Sequence, residues 1–89
     1  RRNKKIFYNR DNYECDFIIQ EKEKVVQAIQ VTESLNLENE KRELEGIFEA
    51  MNKFKIKEGL IITLDEERNI KIKGKKIRVL PVWKWLLDV

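Results

Sequence analysis

The chain of 89 residues carries a net charge of +3, and 42% of its residues are hydrophobic while 39% are charged. This composition predicts one small domain that buries about 60% of its unfolded surface, and it excludes a disordered chain. One cysteine and no histidine exclude an internal disulfide and a zinc site. No apolar run approaches the about 18 residues that span a membrane, and no signal peptide is visible, so we expect a cytoplasmic protein without a membrane partner.

Two further features of composition bear on the origin of the chain. Its charged residues are mostly Lys and Glu and stand beside many Ile residues, a bias typical of proteins from hot environments. The sequence begins with Arg1 rather than Met, which predicts a piece of a longer protein.

The first third of the chain predicts three consecutive strands. Residues 4–9, 13–20 and 25–32 are rich in β-formers, and polar turn residues separate them. Segments this closely spaced predict an antiparallel meander, with the third strand well buried.

A long helix follows, capped by Ser34 or Asn36 and running to about Phe54. Its apolar residues recur with the 3.6-residue period of a helix that packs on a sheet, and Lys41 falls on the same line. These apolar residues are Leu37, Leu44, Ile47, Phe48 and Met51. Acidic residues are assigned to the outer surface of the helix: Glu38, Glu40, Glu43, Glu45 and Glu49.

The last third predicts three more strands and a short helix. Residues 60–64 form an apolar strand, which the crossover helix makes parallel to strand 25–32. The acidic stretch 65–68 is expected to be a solvent loop. Residues 69–80 alternate as a hairpin that reverses at Lys73 and Gly74. Pro81 opens a short terminal helix whose tryptophans anchor it either to the sheet or to a neighbouring domain.

Three polar residues lie on neighbouring predicted strands. Because successive side chains of a strand point to opposite faces, Gln30 and Thr32 share one face of their strand, and Asp16 can meet them at the end of the sheet. This arrangement resembles the PD-(D/E)XK nuclease core. In that core an acidic residue on one strand is followed, about a dozen residues later, by an acidic-x-Lys motif on the next strand.

The resemblance implies that Asp16 matches the first metal-binding acid, that Gln30 replaces the second acid, and that Thr32 replaces the lysine. A carboxylate pair holds Mg²⁺ in that fold, and the lysine stabilises the charge that develops during hydrolysis. We therefore interpret the three positions as a degenerate catalytic motif, with Asp16 as the remaining metal-ligand candidate. Mg²⁺ is expected only if nuclease activity is retained.

The whole chain resembles the C-terminal domain of archaeal AAA-type ATPases, a domain of unknown function of the 4143 type. The segments that carry this likeness are Glu14-Cys15-Asp16-Phe17-Ile18-Ile19, Ile29-Gln30-Val31-Thr32, Lys41-Arg42-Glu43-Leu44, Leu60-Ile61-Ile62-Thr63, Gly74-Lys75-Lys76-Ile77 and Leu80-Pro81-Val82-Trp83-Lys84-Trp85-Leu86-Leu87. The ending with Pro-x-Trp-Lys-Trp-Leu-Leu is the most distinctive.

This resemblance implies one α/β domain over residues 1–89, with a restriction-endonuclease-like core, a mixed sheet and the element order β-β-β-α-β-β-β-α. It also implies an N-terminal ATPase domain of the same protein as partner, and ATP is expected only there, because the sequence contains no G-x-x-x-x-G-K-[ST]. The leading hypothesis is a non-catalytic accessory domain that contacts DNA or protein.

Two alternatives remain open. One is an active Mg²⁺-dependent nuclease in which Glu14 replaces the missing acid and Lys41 the missing lysine. The other is a DNA-binding module without cleavage, which uses the basic residues of the first ten positions and a late basic segment. The nucleic-acid contact candidates of that late segment are Lys71, Lys73, Lys75, Lys76 and Arg78.

Overall fold

The computed structural model describes residues 4–10 and 14–88, and side chains are described for residues 6 and 16–87. It is an α/β structure with a mixed sheet and two helices, which confirms the predicted class. The elements in chain order are β1 (Lys4–Arg10), β2 (Glu14–Glu21), β3 (Lys24–Val31), α1 (Glu40–Phe54), β4 (Glu58–Thr63), β5 (Arg68–Ile72), β6 (Lys75–Pro81) and α2 (Val82–Asp88). Within these residues, neither helix has the length and apolar character that a membrane crossing requires.

The sheet has the strand order β1-β2-β3-β4-β6-β5. The first three strands pair antiparallel, which confirms the meander. Of the turn predicted over residues 10–12, Arg10 is the last residue of β1, and residues 11 and 12 lie outside the described residues. β3 pairs parallel with β4, as the crossover helix requires, and β4 pairs parallel with β6.

Helix α1 covers one face of this sheet. Ile47, Ala50 and Met51 of the helix are fully buried, and they join Ile61 and Val79 of the central strands in the larger hydrophobic cluster. Gly59 allows the close approach of helix and sheet. A Cβ atom at this position would lie 2.8 Å from Ile47 Cδ1 and 2.8 Å from Met51 Sδ.

The start of α1 differs from the prediction. The helix begins at Glu40, with Asn39 at the N-cap position, rather than after Ser34 or Asn36. The Asn36 side-chain oxygen accepts hydrogen bonds from the backbone N–H groups of Glu38 and Asn39, at 2.9 and 3.0 Å. An Asn side chain can satisfy backbone donors in a turn as well as at a helix end, and here it organises the turn that leads into α1.

The β5–β6 hairpin reverses at the predicted place. Lys73 and Gly74 both have positive φ angles, 50° and 80°. Two successive residues of this conformation form the tight turn whose twist matches that of the flanking strands.

Candidate functional site at the fork between β2 and β3

The sheet opens between β2 and β3 at the carboxyl end of β3. The last paired residues of the two strands are Phe17 and Ile29. Beyond them β3 follows β4, where Val31 pairs with Ile62. β2 instead stays paired with β1, and Cys15 of β2 lies opposite Asn9 of β1. The opening would leave backbone N–H groups on both strands without the partners that a continuous ladder supplies.

The side chains of Asp16 and Gln30 supply those partners. The Asp16 backbone N–H donates a hydrogen bond of 2.7 Å to Gln30 Oε1, and the Val31 backbone N–H donates one of 2.8 Å to Asp16 Oδ2. Gln30 is only 3% exposed. The structure thus brings two of the three predicted motif residues together, and each of them binds the backbone of the opposite strand.

Helix α1 adds a carboxylate to this fork. The Glu43 side chain is only 16% exposed, and it accepts a hydrogen bond from the Gln30 side chain. Burial raises the pKa of Glu43, and the negative charge of Asp16 raises it further, whereas Arg42 and the hydrogen bonds from Arg42 and Gln30 lower it. The net effect is a raised pKa, so folding disfavours the ionised form of this carboxyl.

The assignment of Glu43 to the outer surface is therefore wrong. The helical period carried the signal, because Glu43 precedes Ile47 by four residues and Ala50 by seven, and these spacings place all three on the face that meets the sheet. The placement of Lys41 on the apolar line is wrong as well. Lys41 is exposed, two residues and therefore about 200° around the helix from Glu43.

The Gln30 amide connects the two acidic residues. Its oxygen accepts from the Asp16 backbone, and its side chain donates to the Glu43 carboxylate. A carboxylate at position 30 would keep the acceptor and lose the donor. The amide is thus suited to a site in which two carboxylates already lie close together, and a third would add repulsion.

Thr32 takes part in a different network. Its hydroxyl donates to the Ser34 carbonyl oxygen at 3.2 Å and accepts from Asn39 Nδ2 at 3.4 Å, and Asn39 Nδ2 also donates to the Ser34 carbonyl at 2.9 Å. These bonds hold the loop between β3 and α1. Thr32, the residue that the sequence pattern places at the lysine position of the motif, therefore stabilises the connection that places Glu43.

A second polar cluster fixes the beginning of α1. Arg68 Nη2 binds Glu40 Oε1 at 2.8 Å, and Arg68 Nε lies 2.7 Å from Glu66 Oε2. Glu66 Oε1 also accepts a 3.3 Å hydrogen bond from the Leu35 backbone. The expectation of a solvent loop over residues 65–68 is wrong for Glu66 and Arg68, which are half-buried. The cluster joins the β4–β5 loop to the helix that carries Glu43.

The structure separates the basic residues of the β5–β6 hairpin into two sets. Lys71 pairs directly with Lys76, and Arg78 shares their face of the hairpin, away from α1. Lys73 lies on the α1 side, with Nζ 5.8 Å from the Phe48 ring, and Lys75 shares that side. The five candidates therefore do not form one surface. The N-terminal basic side chains, like that of Glu14, lie outside the described side chains.

The ligands that the fork offers a divalent ion are the carboxylate oxygens of Asp16 and Glu43. These are hard oxygen donors of the kind that Mg²⁺ prefers, but Asp16 Oδ2 and Gln30 Oε1 already accept backbone hydrogen bonds. Across the described part of the chain, no three acidic, cysteine or histidine side chains converge on one point. Among the described residues the fork supplies two carboxylates and no third.

Comparison with family models, with curated proteins and with solved structures yields no match for this chain.

Proposed function

We propose that this chain is a non-catalytic accessory domain with a restriction-endonuclease-like core, serving a AAA-type ATPase whose ATP-binding module lies elsewhere in the same protein. The observation that carries the proposal is the use of the motif positions for structure. Asp16 and Gln30 close the fork by binding backbone N–H groups, and the Thr32 hydroxyl holds the loop before α1. The domain then acts through contacts with DNA or protein.

Charge supports the same conclusion. A hydrolytic site of this type needs a cation aimed at the phosphate that is attacked, and loss of one such preorganised group commonly costs about 3 kcal/mol of transition-state stabilisation. Thr32 has no charge, and its hydroxyl is bonded to the loop. Gln30 is neutral and is bonded to Asp16 and Glu43. The fork is suited to rigidity rather than to turnover.

The test is a cleavage assay with micromolar protein on duplex, single-stranded and branched DNA, in the presence of Mg²⁺ or Mn²⁺. We expect no cleavage above that of the Asp16→Ala variant, which removes the only side-chain acceptor of the Val31 N–H that the structure describes. Metal-dependent cleavage that disappears in Asp16→Ala would overturn the proposal.

A second candidate is an Mg²⁺-dependent nuclease with relocated residues, and the position of Glu43 favours it. Asp16 and Glu43 are close enough for the charge of one to raise the pKa of the other. Arg42 Nη2 lies 3.7 Å from Glu43 Oε2 and offers a cation beside them. In this candidate Glu43 takes the part that the sequence assigned to Glu14, and Arg42 takes the part assigned to Lys41.

Any ion would be held by Asp16 and Glu43, and its chemistry would be the activation of a water molecule and the neutralisation of phosphate charge. The candidate predicts that Glu43→Gln and Arg42→Ala each abolish cleavage, whereas Glu38→Gln, an exposed acid before α1, leaves cleavage unchanged. Cleavage that survives Glu43→Gln would exclude it.

A further inference from the structure

Helix α2 is apolar around most of its circumference. Val82 and Trp85 pack on the sheet against a cluster that includes Leu60, Ile62 and Leu80. The remaining apolar residues of the helix are exposed: Trp83 by 57%, Leu86 by 57% and Leu87 by 77%. A helix that is hydrophobic nearly all round is normally buried on more than one side.

The residues of α2 point in defined directions, because each step along a helix turns about 100°. Leu87 lies nearly opposite Val82 and Trp85 and points away from the sheet. Lys84 lies on one flank and binds Glu67 of the β4–β5 loop at 2.6 Å. Trp83 and Leu86 lie on the flank of the helix opposite Lys84.

On the face of the sheet that carries α2, strands β1, β2 and β3 have no cover among the described residues. A groove of about 370 Å³ runs there, and every residue that lines it is apolar. Its floor is formed by five residues of the first three strands and by Ile62 of β4, and Val82 and Trp85 of α2 form its wall. The floor residues of the first three strands are Ile6, Phe17, Ile19, Ile29 and Val31. Ile6 is 64% exposed, Phe17 44% and Val31 48%.

The groove has the dimensions of a helix. Three neighbouring strands span about 14 Å, and a helix with its side chains is about 10–12 Å wide. One half of this sheet face is covered by α2, and the half formed by β1, β2 and β3 has room for one more helix. The helix must be apolar on the side that meets the floor and on the side that meets Trp83 and Leu86.

We propose that a second copy of this chain covers the groove, with α2 of each copy lying in the groove of the other across a twofold axis. Leu87 of one copy then meets the floor of the other, and Trp83 and Leu86 of the two helices meet at the axis. A twofold contact is self-complementary, so the exposed helix and the uncovered floor are both satisfied by one arrangement.

Area and charge agree with this partner. The exposed parts of the floor and helix residues amount to roughly 700 Å², near the about 800 Å² per partner of a stable interface and above the patch of a typical monomer. Lys71 and Lys76 lie on β5 and β6, across α2 from the groove, so the contact does not bury them. The proposal goes beyond the accessory role and does not depend on it.

The experiment is sedimentation equilibrium on the full chain, from micromolar to hundreds of micromolar. We expect a mass of twice the 10.8 kDa of one chain. Leu87→Glu on the helix and Ile6→Glu on the floor should each weaken association at least about 30-fold, since each change occurs twice in the dimer. Leu37→Glu is the matched control, because Leu37 is 103% exposed in the loop before α1.

Far-ultraviolet circular dichroism confirms that each variant is folded. The two positions test opposite sides of the same contact, so one folded variant is enough to decide. The proposal is overturned if the chain stays monomeric over the whole range of protein concentration. A monomer that binds lipid vesicles is one such result, because the apolar face would then meet lipid rather than a second copy. It is equally overturned if the chain forms a dimer but the folded Leu87→Glu and Ile6→Glu variants associate as tightly as the Leu37→Glu control.

Discussion

Replacing Gln30 with glutamate tests the account of the fork most directly. The change keeps the oxygen that accepts from the Asp16 backbone, but it removes the donor to Glu43 and adds a negative charge to a side chain that is only 3% exposed. A hydrogen bond to a charged group contributes about 1.5–3 kcal/mol, and an uncompensated buried charge costs about 3–5 kcal/mol. We expect Gln30→Glu to lower the free energy of unfolding by at least about 3 kcal/mol at neutral pH, the lower end of the cost of an uncompensated buried charge.

The pH dependence of this loss has a definite sign. Burial and the two neighbouring carboxylates raise the pKa of a carboxyl at position 30 in the folded chain. Its protonated form can donate to Glu43 in place of the lost amide. The loss is therefore largest above the raised pKa and shrinks to about 1 kcal/mol as the pH falls below it.

Urea unfolding followed by circular dichroism, at neutral and at mildly acidic pH, measures both quantities. The matched control is Gln20→Glu on β2, because the Gln20 amide donates to the Lys22 carbonyl at 3.3 Å on the exposed surface. The control should change stability by no more than about 0.5 kcal/mol. Equal losses in the two variants at neutral pH, or a loss in Gln30→Glu that does not shrink in acid, would refute the bridging role of the amide.

Three further outcomes are expected. Because the pKa of Glu43 is raised, ionisation of this carboxyl destabilises the fold as the pH rises above the ordinary pKa of glutamate, so Glu43→Gln should flatten the decline in stability that begins there in urea titrations. Gly59→Ala should destabilise the chain by about 1–3 kcal/mol in the same assay, since the added Cβ meets Met51 Sδ at 2.8 Å. If the domain contacts DNA through Lys71 and Lys76, replacing both with alanine should reduce the slope of log affinity against log salt by about 2 in fluorescence-anisotropy titrations.

Each of these has a control and a contradicting result. The control Glu38→Gln should leave the dependence of stability on pH unchanged. If Glu43→Gln is less stable than the parent chain at neutral pH, the hydrogen bonds and the ion pair of Glu43 stabilise the fold by more than the burial of its charge destabilises it, which contradicts the prediction. Gly74→Ala adds a Cβ into open space at φ 80° and should cost only about 1 kcal/mol, so a Gly59→Ala loss smaller than this contradicts the close packing. The control for the DNA prediction is the replacement of Lys41 and Lys57 with alanine, which should leave the slope of log affinity against log salt unchanged. If this control reduces the slope as much as replacement of Lys71 and Lys76 does, the hairpin face is not the DNA contact.

Much of the fold follows from local chemistry. Alternation of apolar and polar residues predicts the strands, and the Lys73–Gly74 pair predicts the hairpin turn that the φ angles confirm. The parallel pairing of β3 with β4 follows from a single crossover helix between them. The start of that helix did not follow, because Ser34, Asn36 and Asn39 are all good capping residues, and only the packed loop selects among them.

The candidate site was predicted in part. Asp16 and Gln30 meet as their strand positions suggested, since side-chain direction in a strand is set by parity alone. Glu43 was missed because glutamate is usually solvated, although its spacing from Ile47 and Ala50 placed it on the buried face. Such a conflict between residue type and helical position indicates a polar site.

The sequence by itself determined which segments become strands and helices and which face of each is apolar, because these depend on neighbours a few residues apart. The tertiary structure alone decided that β2 and β3 separate at Asp16, that Gln30 bonds to Glu43, and that no described residue covers the sheet face beside α2. Those features depend on which hydrogen-bond partners and which apolar surfaces distant segments provide for one another. Because these segments are far apart in the sequence, the local pattern of any one of them does not predict the outcome.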